Sequence, residues 1–149
     1  MIGLDTNLLV YSHRRDARWH RPALACVRGL VEGGARWALP WPCVHEFLGV
    51  VTRPKLFNPP TELSRALDQV EQWLGAPAVT MLGEGPRYWP QFRALALGAR
   101  VAGPMVHDAR IAALCRLHGV TELWSADRDF SRFPGLRVVN PLQGNGGER

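Results

Sequence analysis

Short apolar segments alternate with amphipathic segments along this chain of 149 residues. The apolar segments lie at residues 1–4, 37–39, 78–82, 122–125 and 136–140, and each has the length and composition of a buried strand. The segments between them repeat apolar residues at helical spacing, with helix-starting and helix-stopping residues such as Pro42 and Gly119. This alternation predicts an α/β fold with a central, mainly parallel sheet covered on both faces. In such folds, binding sites form at the carboxyl ends of the strands.

Length and composition predict one domain at residues 1–142, followed by a Gly-rich, flexible tail at residues 143–149. No apolar run approaches the ~18 residues that a membrane span requires. The N-terminus opens directly on a strand pattern, which is unlike a signal peptide. The three cysteines are isolated and lack metal-ligand spacing, as is typical of small core residues in a reducing cytoplasm. We therefore expect a cytoplasmic protein.

Acidic residues stand in otherwise apolar surroundings at five positions: Asp5, Glu46, Asp108, Asp127 and Asp129. The first follows a predicted strand, the last two follow another, and the remaining two interrupt apolar stripes of predicted helices. Burying a carboxylate is costly unless a cation or several hydrogen-bond donors compensate it. The five acids are therefore predicted to share one site that holds a hard divalent cation, Mg²⁺ or Mn²⁺, which prefers oxygen ligands.

Each acid taken alone has a simpler interpretation. Asp5 could cap the helix that follows it, although Thr6 or Asn7 is also a plausible N-cap. Asp108 could serve a helix dipole, and Glu46 could lie at the edge of its apolar stripe. The pair Asp127 and Asp129 could be turn residues. The combination favours a shared site, and the chain has no phosphate-binding glycine loop or nucleophile elbow that would indicate another chemistry.

The formal net charge is +5, although the predicted site is acidic. The basic residues are almost all arginines, with Lys55 as the only lysine. Arginine binds phosphates in a bidentate manner, so this balance favours a polyanionic substrate. Four arginines lie near the acids in sequence and are candidates for RNA contacts: Arg14, Arg15, Arg110 and Arg128. Solvated surface arginines are the alternative.

Four motifs resemble, in chain order, the acidic motifs of PIN-domain nucleases. They are LDTNLL at residues 4–9, HEF at 45–47, VHDARIAA at 106–113 and SADRDF at 125–130. The flanking residues 41–44, 132–136 and 140–142 are similar to the VapC toxin branch of that family. The resemblance extends over the whole predicted domain, residues 1–142. It implies a PIN-like three-layer α/β/α sandwich.

The resemblance also implies an activity and partners. The activity is that of an endoribonuclease that depends on Mg²⁺ or Mn²⁺. Its biological context is the toxin half of a type II toxin–antitoxin pair, neutralised by a small VapB-type antitoxin, and a homodimer is expected. By motif, the catalytic acids are Asp5, Glu46, Asp108 and Asp127, with Asp5 and Asp108 as the principal metal ligands. Asp127 binds the metal directly or through water, and Asp129 is an accessory acid.

Three polar neighbours of the acids are assigned supporting roles: Thr6, Asn7 and Ser125. Ser125 stands where many members of the family have threonine, so a hydroxyl is retained. Glu46 is expected to orient the attacking water or a second metal ion. Because every acid is present together with these neighbours, the set favours an enzyme over the alternative, a non-catalytic metal- or partner-binding protein with a PIN-like fold.

The predicted helix at residues 63–74 carries an apolar stripe with two interpretations. Together with Leu56 and Phe57 it could form a groove for a protein partner. The same stripe could also simply face the core.

Overall fold

The computed structural model describes residues 1–143. Five short strands form one sheet: β1 (Ile2–Leu4), β2 (Trp37–Pro40), β3 (Val79–Leu82), β4 (Glu122–Trp124) and β5 (Arg137–Val139). Every pairing is parallel, and the strand order is β3-β2-β1-β4-β5. The predicted α/β fold with a mainly parallel sheet is therefore confirmed, and all five predicted strands are present.

Helices connect the strands in the manner that a parallel sheet requires. They are α1 (Thr6–His13), α2 (His20–Glu32), α3 (Trp41–Val51), α4 (Leu63–Leu74), α5 (Tyr88–Gly98) and α6 (Met105–Leu117), and a 3₁₀ helix (Arg128–Arg132) joins β4 to β5. Helix α1 packs on α2 and α3, α3 packs on α4, and α5 packs on α6. Crossovers between parallel strands are almost always right-handed, and with this strand order that rule places the two groups on opposite faces of the sheet, as a three-layer fold requires.

The strand order reverses beside β1, because β2 and β3 lie on one side of it and β4 and β5 on the other. Leu4 pairs with Trp124, so β1 and β4 end at the same level. The backbone N–H of Asp5 donates to the carbonyl of Trp124 at 3.0 Å. The residues that follow these two strands, Asp5 and Ser125, therefore lie side by side at the point where ligands bind in open α/β sheets.

Helix α1 begins at Thr6, so its N-cap position lies one residue before the first predicted cap and two residues before the second. Asp5 occupies the cap position, and its side chain makes no capping hydrogen bond. The prediction that Thr6 or Asn7 caps this helix is therefore wrong. Both side chains instead make hydrogen bonds to residues far away in sequence, as described below.

Within residues 1–143, no helix is both long enough and apolar enough to cross a bilayer. The domain boundary at residue 142 stays a prediction. The predicted flexible tail, apart from Gln143, lies outside the described residues.

The stripe of α4 is divided between the core and the surface. Val70 is buried, whereas the leucines of the stripe are exposed: Leu63, Leu67 and Leu74. Trp73, on the same helix, is buried and packs edge-on against Phe47 of α3. Both interpretations of the stripe thus hold for part of it, because α4 lies at the margin of its layer.

Candidate metal centre and acid cleft

Asp5 is the buried acid of the site, with 5% of its surface exposed. Its Oδ2 accepts hydrogen bonds from Ser125 Oγ at 2.7 Å and from Asn7 Nδ2 at 3.2 Å. The Cys43 thiol lies 3.7 Å from Oδ1. Burial raises the pKa of Asp5 to about 6, although the Ser125 hydrogen bond opposes that rise. Asp5 is therefore held in one orientation but lacks a full counter-charge.

Asn7 and Ser125 join the ends of β1 and β4. Asn7 Nδ2 donates to Ser125 Oγ at 3.2 Å, and Asn7 Oδ1 accepts from the backbone N–H of Ala126 at 3.1 Å. Ser125 Oγ in turn accepts from the backbone N–H of Asp127 at 2.9 Å. The segment that carries Asp127 is thus positioned by the same side chains that orient Asp5.

Glu46 is exposed and lies at the edge of the apolar stripe of α3. Its helical neighbours Cys43 and Phe47 are fully buried, whereas Val50 is half-buried. The expectation that Glu46 occupies a core position is therefore wrong, and the edge alternative is the observed one. Its Oε2 accepts a hydrogen bond from Thr6 Oγ1 at 2.9 Å. This bond connects α3 to the first residue of α1.

A second group of carboxylates is formed by Asp108, Asp127 and Asp129, which offer oxygen atoms that all lie within 4.8 Å of one another. Asp108 belongs to the first turn of α6, and the other two lie at and just after the start of the 3₁₀ helix. Burial, followed by repulsion from Asp127 and Asp129, raises the pKa of Asp108 to about 6. Three carboxylates this close fit a hard divalent cation, which takes oxygen ligands.

The four acids of the predicted quartet line one cleft of about 330 Å³: Asp5, Glu46, Asp108 and Asp127. Thr6 and Asn7 line it with them. An adjoining cleft of about 570 Å³ shares the last three of these acids and adds Asp129. All five predicted acids therefore face one continuous depression, which we call the acid cleft. The expectation that they occupy buried positions holds only for Asp5.

Two of the four candidate arginines adjoin the acid cleft. Arg110 lines the larger part of it, and Nε of Arg110 contacts Glu84 Oε1 at 2.5 Å. Arg128 lines a smaller pocket together with Ser125 and Asp127.

The other two candidate arginines lie elsewhere. Arg14 forms a two-point ion pair with Asp16, with a shortest contact of 2.6 Å, and its guanidinium lies 4.4 Å from the ring centroid of Phe57. Arg15 lines a separate groove bordered by α1, α2 and α4. The structure does not bring these two side chains to the carboxylates.

One wall of the acid cleft was not assigned to the site from the sequence. It consists of apolar and aromatic side chains, and we call it the apolar wall: Val10, Tyr11, Val50, Leu56 and Phe57. The last two belong to the Pro-rich segment after α3, which sequence reasoning associated with a partner groove. The only signal in the sequence was two large apolar residues in a segment otherwise typical of an exposed loop.

The family is established by comparison with known proteins. The PIN domain family matches residues 2–136. The chain therefore belongs to the PIN-domain family. Ribonuclease VapC48 of Mycobacterium tuberculosis is 35% identical over 140 residues, which cover 94% of this chain and 97% of the relative. Within the family, the chain is thus a member of the VapC ribonucleases, and the resemblance stated from its motifs is confirmed.

Solved structures share the fold. The crystal structure of VapBC2 from Rickettsia felis, bound to a DNA fragment from its promoter, matches with a TM-score of 0.67 and 16% identity over 93% of this chain and 98% of that chain. VapC20 of Mycobacterium tuberculosis, described as a toxin that cleaves the sarcin-ricin loop, matches with a TM-score of 0.66 and 16% identity. The match covers 92% of this chain and 99% of that chain. The predicted PIN-like α/β/α sandwich is confirmed.

Proposed function

We propose that this chain is a divalent-metal-dependent endoribonuclease that hydrolyses RNA phosphodiester bonds in the acid cleft, with Mg²⁺ or Mn²⁺ as its metal. One observation carries the proposal. Five carboxylates from separate parts of the chain face one depression at the carboxyl ends of β1 and β4. Repulsion among them is unfavourable without a cation, and phosphodiester hydrolysis is chemistry that such a cation supports.

Each carboxylate has a distinct role in this proposal. Asp5 and Asp108 are the principal ligands, because burial leaves both in need of positive charge. Asp127 binds directly or through water, and Asp129 adds negative charge at the rim. When bound, the ion supplies charge neutralisation at the phosphate and activation of a water. Glu46, held by the hydroxyl of Thr6, orients that water through a hydrogen bond.

The substrate is RNA, as the names of the VapC relatives indicate. The formal charge of +5 supports a polyanionic substrate. Arg110 and Arg128 are placed to contact phosphates on either side of the scissile bond, because they line pockets that share Asp127. Arg14 and Arg15, which lie elsewhere, are outer candidates only. Single-stranded or looped RNA suits a recessed site, since its nucleotides can leave the stack.

The biological role follows from the family. We propose that the chain is the toxin of a type II toxin–antitoxin pair, that a small VapB-type antitoxin neutralises it in the cytoplasm, and that it forms a homodimer. The VapBC2 structure, bound to promoter DNA, supports the partner proposal. The exposed leucines of α4 offer apolar surface for such a partner.

The test uses protein freed of antitoxin and stripped of metal, incubated with mixed RNA in the presence or absence of Mn²⁺ or Mg²⁺. We expect cleavage only with metal. Asp5→Asn and Asp108→Asn should each abolish cleavage while the circular dichroism spectrum stays unchanged. Asp68→Asn is the matched control, because Asp68 is an exposed acid on α4 that lines neither part of the acid cleft. This variant should keep full activity.

Two results would decide against the proposal. Full activity of Asp5→Asn or Asp108→Asn would remove these residues from the site. Metal binding by calorimetry without any RNA cleavage would instead favour a non-catalytic metal- or partner-binding protein.

A further inference from the structure

The apolar wall has no role in the chemistry described above. We propose that it binds one nucleobase of the RNA strand, next to the scissile phosphate, and thereby contributes to holding the substrate strand in the acid cleft. The inference rests on the proposed ribonuclease function. It deepens that function by naming the side chains that contact a base of the substrate.

The wall and the carboxylates belong to one cleft rather than to two neighbouring sites. Both line the same cavity of about 330 Å³, a size at the lower end of small-ligand pockets. A nucleotide unit has matching parts, because its phosphate suits a metal-loaded acid cluster and its base suits an apolar surface. A strand whose phosphate lies at the acids therefore brings the attached base to the wall.

Leu56 and Phe57 have the features of a base-stacking platform. Leu56 is 53% exposed and lines the acid cleft, so its side chain is accessible to a ligand that enters the cleft. Phe57 is half-buried and offers an aromatic ring. Aromatic and apolar side chains bind unstacked bases through their faces. The described chain places no other element over Leu56 that would account for its position by packing.

The ring of Phe57 is held in place before any ligand binds. The guanidinium of Arg14 lies 4.4 Å from its centroid. Arg14 is itself fixed by Asp16 and by a hydrogen bond of 3.2 Å to Thr61 Oγ1. A platform fixed in this way loses little conformational entropy when a base stacks on it.

The two ends of the acid cleft are lined by different side chains, so a bound RNA strand would run through the cleft in one preferred direction. The apolar wall is at one end, whereas Pro42, Pro104, His107 and Arg110 line the other. The second end has a cation but no aromatic ring of Phe, Tyr or Trp among its lining residues. We therefore assign base binding to the first end and backbone contact to the second.

The first experiment maps the cleaved bond in a short RNA and measures kcat/KM on that RNA. Leu56→Ala removes the exposed side chain, and Phe57→Leu keeps apolar volume but removes the aromatic face. The matched control is Leu97→Ala, because Leu97 is 63% exposed on α5 and lines no part of the acid cleft. We expect the two wall variants to lose roughly tenfold in kcat/KM. The control should lose nothing.

The second measurement separates base binding from general damage. The same RNA is prepared with an abasic nucleotide at each position that flanks the cleaved bond. At one of these positions, removal of the base should lower kcat/KM of the wild-type protein. The loss should be roughly as large as the loss that each wall variant shows on the intact RNA. The wall variants should lose nothing further there, because the base and the wall are the two halves of one contact. The proposal would be overturned if, relative to wild type on the same RNA, the variants lost as much kcat/KM on the abasic RNA as on the intact RNA.

A binding measurement keeps the inference separate from the ribonuclease proposal. 2-Aminopurine replaces the base at the identified position, or at each position in turn if no RNA is cleaved, and its fluorescence is followed without added metal. Quenching by wild type and weaker quenching by Leu56→Ala support the wall as a base site even if no cleavage occurs. A different result would assign the wall to the protein partner instead. In that case both wall variants would keep wild-type quenching and kinetics, but they would bind the co-expressed antitoxin more weakly.

Discussion

The two sides of the acid cleft differ in how their side chains are held. On the side formed by the ends of β1 and β4, which we call the strand side, Asp5, Asn7 and Ser125 are joined by short hydrogen bonds. On the side formed by α3, α6 and the 3₁₀ helix, the helix side, carboxylates such as Asp108 and Asp129 lie close together and more exposed. The strand side fixes geometry, whereas the helix side supplies charge that can adapt to a ligand.

The difference has a physical origin. β1 and β4 are central strands, so the residues that follow them are covered by helices and must satisfy their polar groups internally. The helix side lies at the mouth of the cleft, where water can solvate a carboxylate. We expect substitutions on the strand side to change stability strongly, and substitutions on the helix side to change function with little effect on stability.

The largest expected effect on stability concerns the charge of Asp5. Its pKa is about 6 in the folded protein against the usual 3.8 of an aspartate side chain, so folding favours its protonated form. The stability contributed by protonated Asp5 is fully present at pH values below its unfolded-state pKa. It is lost as pH rises through its folded-state pKa. Without metal, Asp5→Asn should therefore be more stable than wild type by about 3 kcal/mol at about pH 7.5. The difference should shrink towards pH 4 or so. Urea unfolding at both pH values measures it.

Added Mg²⁺ provides the control for that prediction. It should stabilise wild type near neutral pH and have a smaller effect on Asp5→Asn, because a cation compensates the carboxylate that the variant lacks. A difference between the two proteins that stays constant with pH would show that Asp5 is not the source of the effect.

The next largest effect is expected for Asn7→Ala. This change removes a donor to Asp5 and to Ser125, and it leaves the backbone N–H of Ala126 without its acceptor. We expect a loss of about 2 kcal/mol in the free energy of unfolding, slightly reduced by the better helix propensity of alanine. Ser64→Ala, at an exposed position of α4, should change stability by less than about 0.5 kcal/mol. Equal effects of the two substitutions would mean that the strand-side network does not stabilise the fold.

Much of the strand side could be predicted from the sequence. Asp5 and Asp127 each follow a short apolar segment, and parallel strands end at the same edge of a sheet. Their convergence is therefore a consequence of the fold class. The contacts within the network were less accessible, because hydrogen bonds such as that from Asn7 to Ser125 connect residues 118 positions apart.

The helix side was less predictable for geometric reasons. Helical spacing placed Glu46 in the apolar stripe of α3, but it does not say where the edge of the buried face falls. The acid cleft lies over that edge. The contribution of Leu56 and Phe57 depends on the path of a Pro-rich loop, for which no periodic pattern exists. Proximity in sequence also misplaced Arg15, whose side chain lines a separate groove.

A smaller effect is expected at the hydrogen bond that joins the two sides. Thr6→Val keeps the shape of the side chain but removes the donor to Glu46 Oε2. Stability should fall by about 1 kcal/mol or less, and kcat should fall by roughly fivefold because Glu46 is no longer oriented. Thr6→Ser restores the hydroxyl and should recover most of the activity. A Thr6→Ser protein as impaired as Thr6→Val would indicate that packing, rather than the hydrogen bond, is responsible.

The smallest effect on stability is expected for Asp129→Asn. The side chain of Asp129 is exposed, and the substitution keeps the backbone N–H that donates to Asp127 Oδ1. It also removes one of the charges that raise the pKa of Asp108. Metal-free stability should thus change by less than about 0.5 kcal/mol, while metal affinity falls because one anionic oxygen near the cation is lost. Thermal unfolding and calorimetric titration with Mn²⁺ measure the two quantities separately. A large loss of stability here would contradict the division of the cleft into a fixed side and an adaptable side.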